Sequence, residues 1–158
     1  MKSKNLHVVT SSTSAHNPWG SWLKSWLPVV VMTSVIFSLS SIPAKALPKV
    51  HLFAAQDKLI HTSEYGLLGL FITRALVRRR ARRAAALPAS PSEATTSPVP
   101  MALVCAAAGL ALAYGLSDEF HQSFVPGRSV EVLDMTADLT GGFLGGLVYR
   151  AWRRRVRR

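Results

Sequence analysis

Apolar residues in this chain come in long runs, and charged residues are crowded between them, with no polar stripe of the kind a soluble surface helix carries. The first run, residues 26–42, has no charge and is introduced by Trp19, Trp22 and Trp26. This length and aromatic approach predict a membrane helix anchored at the interface. Its exit, Ile42-Pro43-Ala44-Lys45-Ala46, has the small-x-small spacing of a signal-peptide site. The leader ahead of it is long, so the segment is read as an uncleaved first span. A second span is expected over residues 57–77, with an apolar centre at 65–73 and His61, Glu64 and Arg74 towards its ends. It is the weakest by hydropathy and also fits an interfacial segment; Arg74 is expected to snorkel towards the nearby surface. Residues 101–117 form the cleanest span, rich in Ala and Leu. The last runs from Val132 to about Tyr149 or Trp152. It holds Gly141, Gly142, Gly145 and Gly146 as two overlapping small-x-x-x-small pairs on adjoining faces, a pattern that lets helices approach closely in lipid. Pro88, Pro91, Pro98 and Pro100 mark a connector, and the basic Pro-rich segment 78–100 joins the second and third spans. The pattern predicts an all-α fold, a polytopic membrane bundle of about four transmembrane helices, in a single domain over 1–158.

Charge orients that bundle. The net charge is +11, and six arginines lie between Arg74 and Arg83 and six between Arg150 and Arg158, each group just after an apolar run. Such placement is expected of cytoplasmic membrane ends and of binding to anionic lipid headgroups; a nucleic-acid footprint would need no apolar neighbour, and no nucleic acid is expected as a partner. The chain is therefore expected in the bacterial plasma (inner) membrane as a multi-pass protein, with N- and C-termini cytoplasmic. Cys105 is the only cysteine, which excludes an intramolecular disulfide and a cysteine zinc site. Within its Ala-rich run it is expected to be a small packing residue.

This topology sends seven of the eight acidic residues to the outward side: Asp57, Glu64, Asp118, Glu119, Glu131, Asp134 and Asp138, with Glu93 left in the connector. His61, Glu64 and Tyr65 have spacings that share a helix face, with Asp57 one turn above His61, and Asp134 and Asp138 are four apart. Ionisable groups in a span are costly and normally face a partner or an aqueous cavity, so a polar pocket near the outer surface is expected. The segment 118–128 is read as a connector whose Pro126-Gly127 turn folds it over the helix ends, leaving His121 accessible to solvent.

Three polar strings carry a resemblance: Asp57-Lys58-x-x-His61-x-x-x-Tyr65-x-x-Leu68-Gly69, Asp118-Glu119-x-x-Gln122-x-Phe124-x-Pro126-Gly127-Arg128, and Asp134-x-x-Ala137-Asp138-x-x-Gly141. In this order, over residues 57–149, the chain resembles the VanZ-like membrane family, named for a protein linked to resistance to the glycopeptide teicoplanin. The family pattern often has Asn at the position of Asp138, and the Arg- and Pro-containing connector looks like an insertion. The resemblance implies a cell-envelope membrane protein and brings no established reaction.

Three functional classes follow. In the first, an outward pocket of Lys58, His61, Tyr65, Asp118, Glu119, Gln122, Arg128, Asp134 and Asp138 recognises an envelope lipid or cell-wall precursor. Arg128 and Lys58 would then contact an anionic group, Tyr65 and Gln122 would orient polar atoms, and the carboxylates would bind hydroxyls or amines. In the second, a hydrolase uses Glu119, Asp134 or Asp138 as general base with His61 or His121 as proton-transfer partner. There is no His-Glu-x-x-His motif and no cofactor signature, yet His61, His121 and the carboxylates admit a divalent metal. In the third, the polar residues only clamp the helices together or face a partner protein.

Overall fold

The computed structural model describes residues 18–46, 56–86 and 98–156. Among the described residues are four long helices, α1 Pro18–Ser40, α2 Gln56–Ala85, α3 Met101–Gln122 and α4 Val132–Arg155, with a short 3₁₀ turn at Ala44–Ala46 after α1. Trp19 as a side chain, Glu93, Pro88 and Pro91, His7, His16 and His51 lie outside what is described.

The all-α expectation holds, but the count of four membrane spans does not. Among the described residues, only Gly20–Ser40 in α1 and Met101–Gln122 in α3 are long and apolar enough, by length and composition, to cross a membrane. α2 and α4 are long enough, at 30 and 24 residues, but Asp57, Lys58, Glu64 and Arg74 in the one, and Asp134, Asp138 and Arg150 in the other, make them too polar. The sequence pattern overcounted because it weighed their apolar centres above the charges that flank and enter them.

What holds α2 and α4 in place is backbone packing. Gly141 lies against Thr62 and Gly66, Gly145 against Gly66 and Leu70, and Gly146 against Thr73, so the two helices run parallel. Gly142 and Gly146 also face Ala108, Ala111 and Val104 of α3. Gly141 and Gly145 thus face α2, whereas Gly142 and Gly146 sit against both α2 and α3. Around this seam, Tyr65, Leu68, Ile72 and Ala75 of α2 pack with Ala107 and Ala111 of α3 and with Val29 and Ile36 of α1. Val99, Val104 and Tyr149 form a second buried cluster.

α1 buries little and turns Leu23, Leu27, Val30, Val31, Val35 and Phe37 outward, a contiguous apolar surface suited to lipid rather than water. Two of its exposed hydroxyls bond to its own turns, Ser34 to the Val30 carbonyl and Ser38 to the Ser34 carbonyl. Cys105 is exposed on α3, so it is not the packing residue its surroundings in sequence predicted. One side-chain tie between α1 and α3 lies mid-helix, where the Tyr114 hydroxyl donates to the Thr33 carbonyl at 2.6 Å. Tyr114→Phe should therefore lower stability by about 1 kcal/mol, read as a lower melting temperature of the full chain in detergent micelles; an unchanged melt would show that this bond contributes nothing.

Both α2 and α4 begin at one end of the bundle and finish at the other, while α1 and α3 run the opposite way. The arginine groups gather at one end: Arg82 of α2 donates to the Ser21 carbonyl at 2.7 Å, near the start of α1, and Arg150 of α4 reaches Met101, at the start of α3. α2 continues as helix through its arginines to Ala85, so the first part of the basic connector is helical. Asp57 and Asp134 lie in the first turns of α2 and α4, and arginines in the last turns, both placements complementing the helix dipole.

Candidate functional site

The opposite end collects the carboxylates. α3 does not stop at Ser117 but continues to Gln122, because turn-forming residues start only at Ser123. The continued helix puts Asp118, Glu119 and Gln122 on its inward face, all three buried. Val125 and Arg128 then close a turn through an Arg128 N–H to Val125 carbonyl bond of 3.1 Å, with Gly127 at φ +80°, the left-handed position that a type II turn needs. α4 enters after Glu131 with Asp134 and Asp138 inward, and α2 presents Lys58, His61 and Tyr65 from successive turns.

Lys58 forms the outer part of the cluster. Its ammonium lies 2.6 Å from Asp134 Oδ1, 2.6 Å from Glu131 Oε2 and 2.9 Å from Asp57 Oδ2. Partial burial opposes its charge, but these three carboxylates outweigh that and hold the ammonium well above the ordinary lysine range. One turn deeper, His61 Nδ1 meets Asp138 Oδ1 at 3.1 Å. A carboxylate can only accept, so Nδ1–H is the donor and Nε2 is left for another partner. Burial works against the imidazolium here too, yet the Asp138 bond and the Asp134 charge raise its pKa above the usual histidine value. The Tyr65 ring lies parallel to that of His61 at 6.2 Å.

Asp118 is tied on both oxygens, accepting from Ser40 Oγ at 2.6 Å and from Gln122 Nε2 at 3.0 Å. Glu119 Oε2 accepts the Glu131 backbone N–H at 3.3 Å. Gly115, one turn before Glu119, leaves the space that Asp138 Oδ2 occupies; any Cβ there would collide with that oxygen. Asp138 Oδ2 and the Tyr65 hydroxyl have no hydrogen-bond partner among the described residues, although both residues are only 1% exposed. An unsatisfied buried polar atom calls for an explanation, such as a ligand, ion or water.

His61, Glu119 and Asp134, one from each of α2, α3 and α4, form a potential metal-coordinating cluster, with one donor atom of each lying within 4.8 Å of the others. Asp57, Glu131 and Asp134 approach similarly, but there the Lys58 ammonium already supplies the positive charge.

Eight of the nine residues expected at a ligand site, Lys58, His61, Tyr65, Asp118, Glu119, Gln122, Asp134 and Asp138, meet in this cluster. Arg128 does not join them: it donates to the Ile42 and Leu39 carbonyls at 3.2 Å, closing the exposed end of α1. His121 is half-buried in the last turn of α3, beside Ser41 Oγ at 3.0 Å and Phe37, rather than free in a loop. Ser40 and Gly115 are structural parts of the cluster that the sequence did not announce; a serine at the end of an apolar run and a glycine within one carry no chemical signal of their own.

The chain has no significant match among curated proteins or among solved structures. A sequence model of the VanZ/LLP1 family, however, matches residues 6–153, which takes in α1 as well as the three polar strings. With two helices fit to cross a bilayer, an outward apolar surface and this match over nearly the whole chain, the protein is a membrane-associated member of the VanZ/LLP1 family.

Proposed function

We propose that the protein recognises the polar head of an envelope lipid or cell-wall precursor in the carboxylate cluster. The observation that carries this reading is the pair of orphaned polar atoms, Asp138 Oδ2 and the Tyr65 hydroxyl, inside a buried cluster contributed by four helices. Pure scaffolding would be expected to pair such atoms. With Arg128 engaged on α1 and Lys58 bonded to three carboxylates, the unpaired atoms are a carboxylate oxygen that accepts and a hydroxyl that can donate or accept, a set suited to hydroxyl- or amine-bearing heads.

The arginine end faces the cytoplasmic leaflet of the bacterial plasma membrane, with both termini on that side. There, Arg74, Arg150 and Arg153 each carry a buried guanidinium N–H without a partner among the described residues, which supports contact with anionic headgroups. A contribution to glycopeptide resistance would follow from precursor recognition at the opposite end.

A second reading, a membrane-embedded hydrolase, is favoured by one feature, the His61 imidazole oriented by Asp138. Binding of the full chain in nanodiscs to a panel of envelope lipids and peptidoglycan precursors separates the readings. Recognition expects one headgroup class to bind, with at least tenfold weaker binding in Asp138→Asn. Equal or absent binding across the panel would remove the recognition reading, and turnover of any panel member would replace it with the hydrolase.

A further inference from the structure

We propose that His61, Glu119 and Asp134 hold a divalent transition metal of the zinc class, whose open position takes an oxygen of the bound headgroup. The inference rests on the reading of this cluster as a ligand site but not on the identity of the headgroup.

Each of the three side chains is held by a different group through one atom and has a second donor atom to offer. His61 Nδ1 is fixed by Asp138, Glu119 Oε2 by the Glu131 N–H, and Asp134 Oδ1 by Lys58. Metal ligands are oriented in this way by outer partners, and a histidine bonded through Nδ1 to a carboxylate presents Nε2 as the better donor. The donor set is one imidazole nitrogen and two carboxylates. Calcium and magnesium prefer all-oxygen surroundings, whereas three mixed ligands with one position left open are the pattern of a working zinc centre. A tetrahedral shell with bonds of about 2.1 Å places donors about 3.4 Å apart; one donor atom from each of the three residues already lies within 4.8 Å of the others, so a short inward movement of the side chains would close the shell.

Charge balance points the same way. Glu119 lies in the last turn of α3, where the helix dipole disfavours an anion, and neither Lys58 nor Arg128 bonds to it. The independent sign of a missing occupant is Asp138, 1% exposed, which bonds His61 with one oxygen and leaves the other, lying against Gly115, without a partner among the described residues. A bound cation would stabilise this carboxylate through space and through the imidazole. It would also let this acidic cluster accept the oxygen of a phosphate, which bare carboxylates would repel.

The test is titration of the chelator-stripped full chain in detergent micelles with Zn²⁺ alone, by calorimetry, and with Co²⁺, by visible absorption. One equivalent is expected, with a cobalt spectrum of low-coordinate nitrogen and oxygen ligation and no thiolate charge-transfer band. Glu119→Gln and His61→Gln should abolish stoichiometric binding. Asp138→Asn, which removes only the outer partner, should weaken it about 10- to 100-fold, while Asp57→Asn should leave it unchanged. Melting curves of the metal-free variants establish that they fold; if they do not, the wild-type stoichiometry and cobalt spectrum still decide the matter.

Absence of stoichiometric binding by the wild-type chain, a thiolate band from Cys105, or unaltered affinity in Glu119→Gln and His61→Gln would overturn the proposal. Repeating the headgroup assay on stripped and zinc-loaded protein separates the two claims. Headgroup binding without any zinc binding sinks the metal alone, and zinc binding without headgroup binding sinks the recognition reading alone.

Discussion

Gly145→Ala is expected to destabilise the bundle by about 1–3 kcal/mol, and larger side chains by more, because the added methyl has nowhere to go. A Cβ at this position would collide with the Gly66 carbonyl and come within 3.0 Å of the Leu70 nitrogen. Both obstacles are main chain inside a helix, which cannot rotate aside as a side chain would. The only relief is separation of α2 from α4. Separation would also loosen the contact of Gly142 and Gly146 with α3, so the effect should spread to all three helices that furnish His61, Glu119 and Asp134. Thermal melting of the full chain in micelles is the measurement, with Gly109→Ala as the reference. No heavy atom lies within 4 Å of a Cβ at Gly109, so alanine there should be neutral or stabilising by about 0.5–1 kcal/mol through helix propensity. Equal melting of the two variants would show that the helices are not in backbone contact.

Lys58→Met should cost about 2 kcal/mol, between the values typical of exposed and fully buried ion pairs. The methionine keeps the apolar stem but removes the ammonium that three carboxylates share. Asp134, with a side chain only 11% exposed, is the one left in difficulty, whereas Asp57 and Glu131 can turn towards water. The loss should shrink in the double variant Lys58→Met, Asp134→Asn, since the second change removes the stranded charge. A double variant less stable than either single one would mean that Asp134 has another cationic partner.

Much of this arrangement was readable in the sequence, for a definite reason. The arginines mark helix ends, and a helical hairpin between two marked ends must return its intervening residues to the far side; that argument alone brings Asp57, Asp118, Glu119 and Asp134 to one level. The glycines of α4 gave the packing seam because their spacing is a property of one helix. Three things were hidden. The extent of α3 was masked by its polar last turn, which reads like a loop although the helix breaks only after Gln122. The number of spans was overcounted because α2 and α4 have apolar centres whose flanking charges decide against a membrane fit. Arg128 looked like a ligand group because its carbonyl partners, Leu39 and Ile42, lie more than eighty residues earlier in the chain. Long-range pairing of a side chain with a main-chain oxygen leaves no trace in composition or period.

The seam between α2 and α4 also bears on how much order the assembly must create. Glycine has no rotamers, so bringing Gly66, Gly69, Gly141 and Gly145 together immobilises no side chain, whereas burying a lysine or methionine at such a contact would forfeit up to about 2 kcal/mol of conformational freedom. Two helices too polar to rely on lipid for support are therefore joined where association carries the smallest entropic penalty. The rigid axis that results is the frame against which a cation or headgroup would be measured.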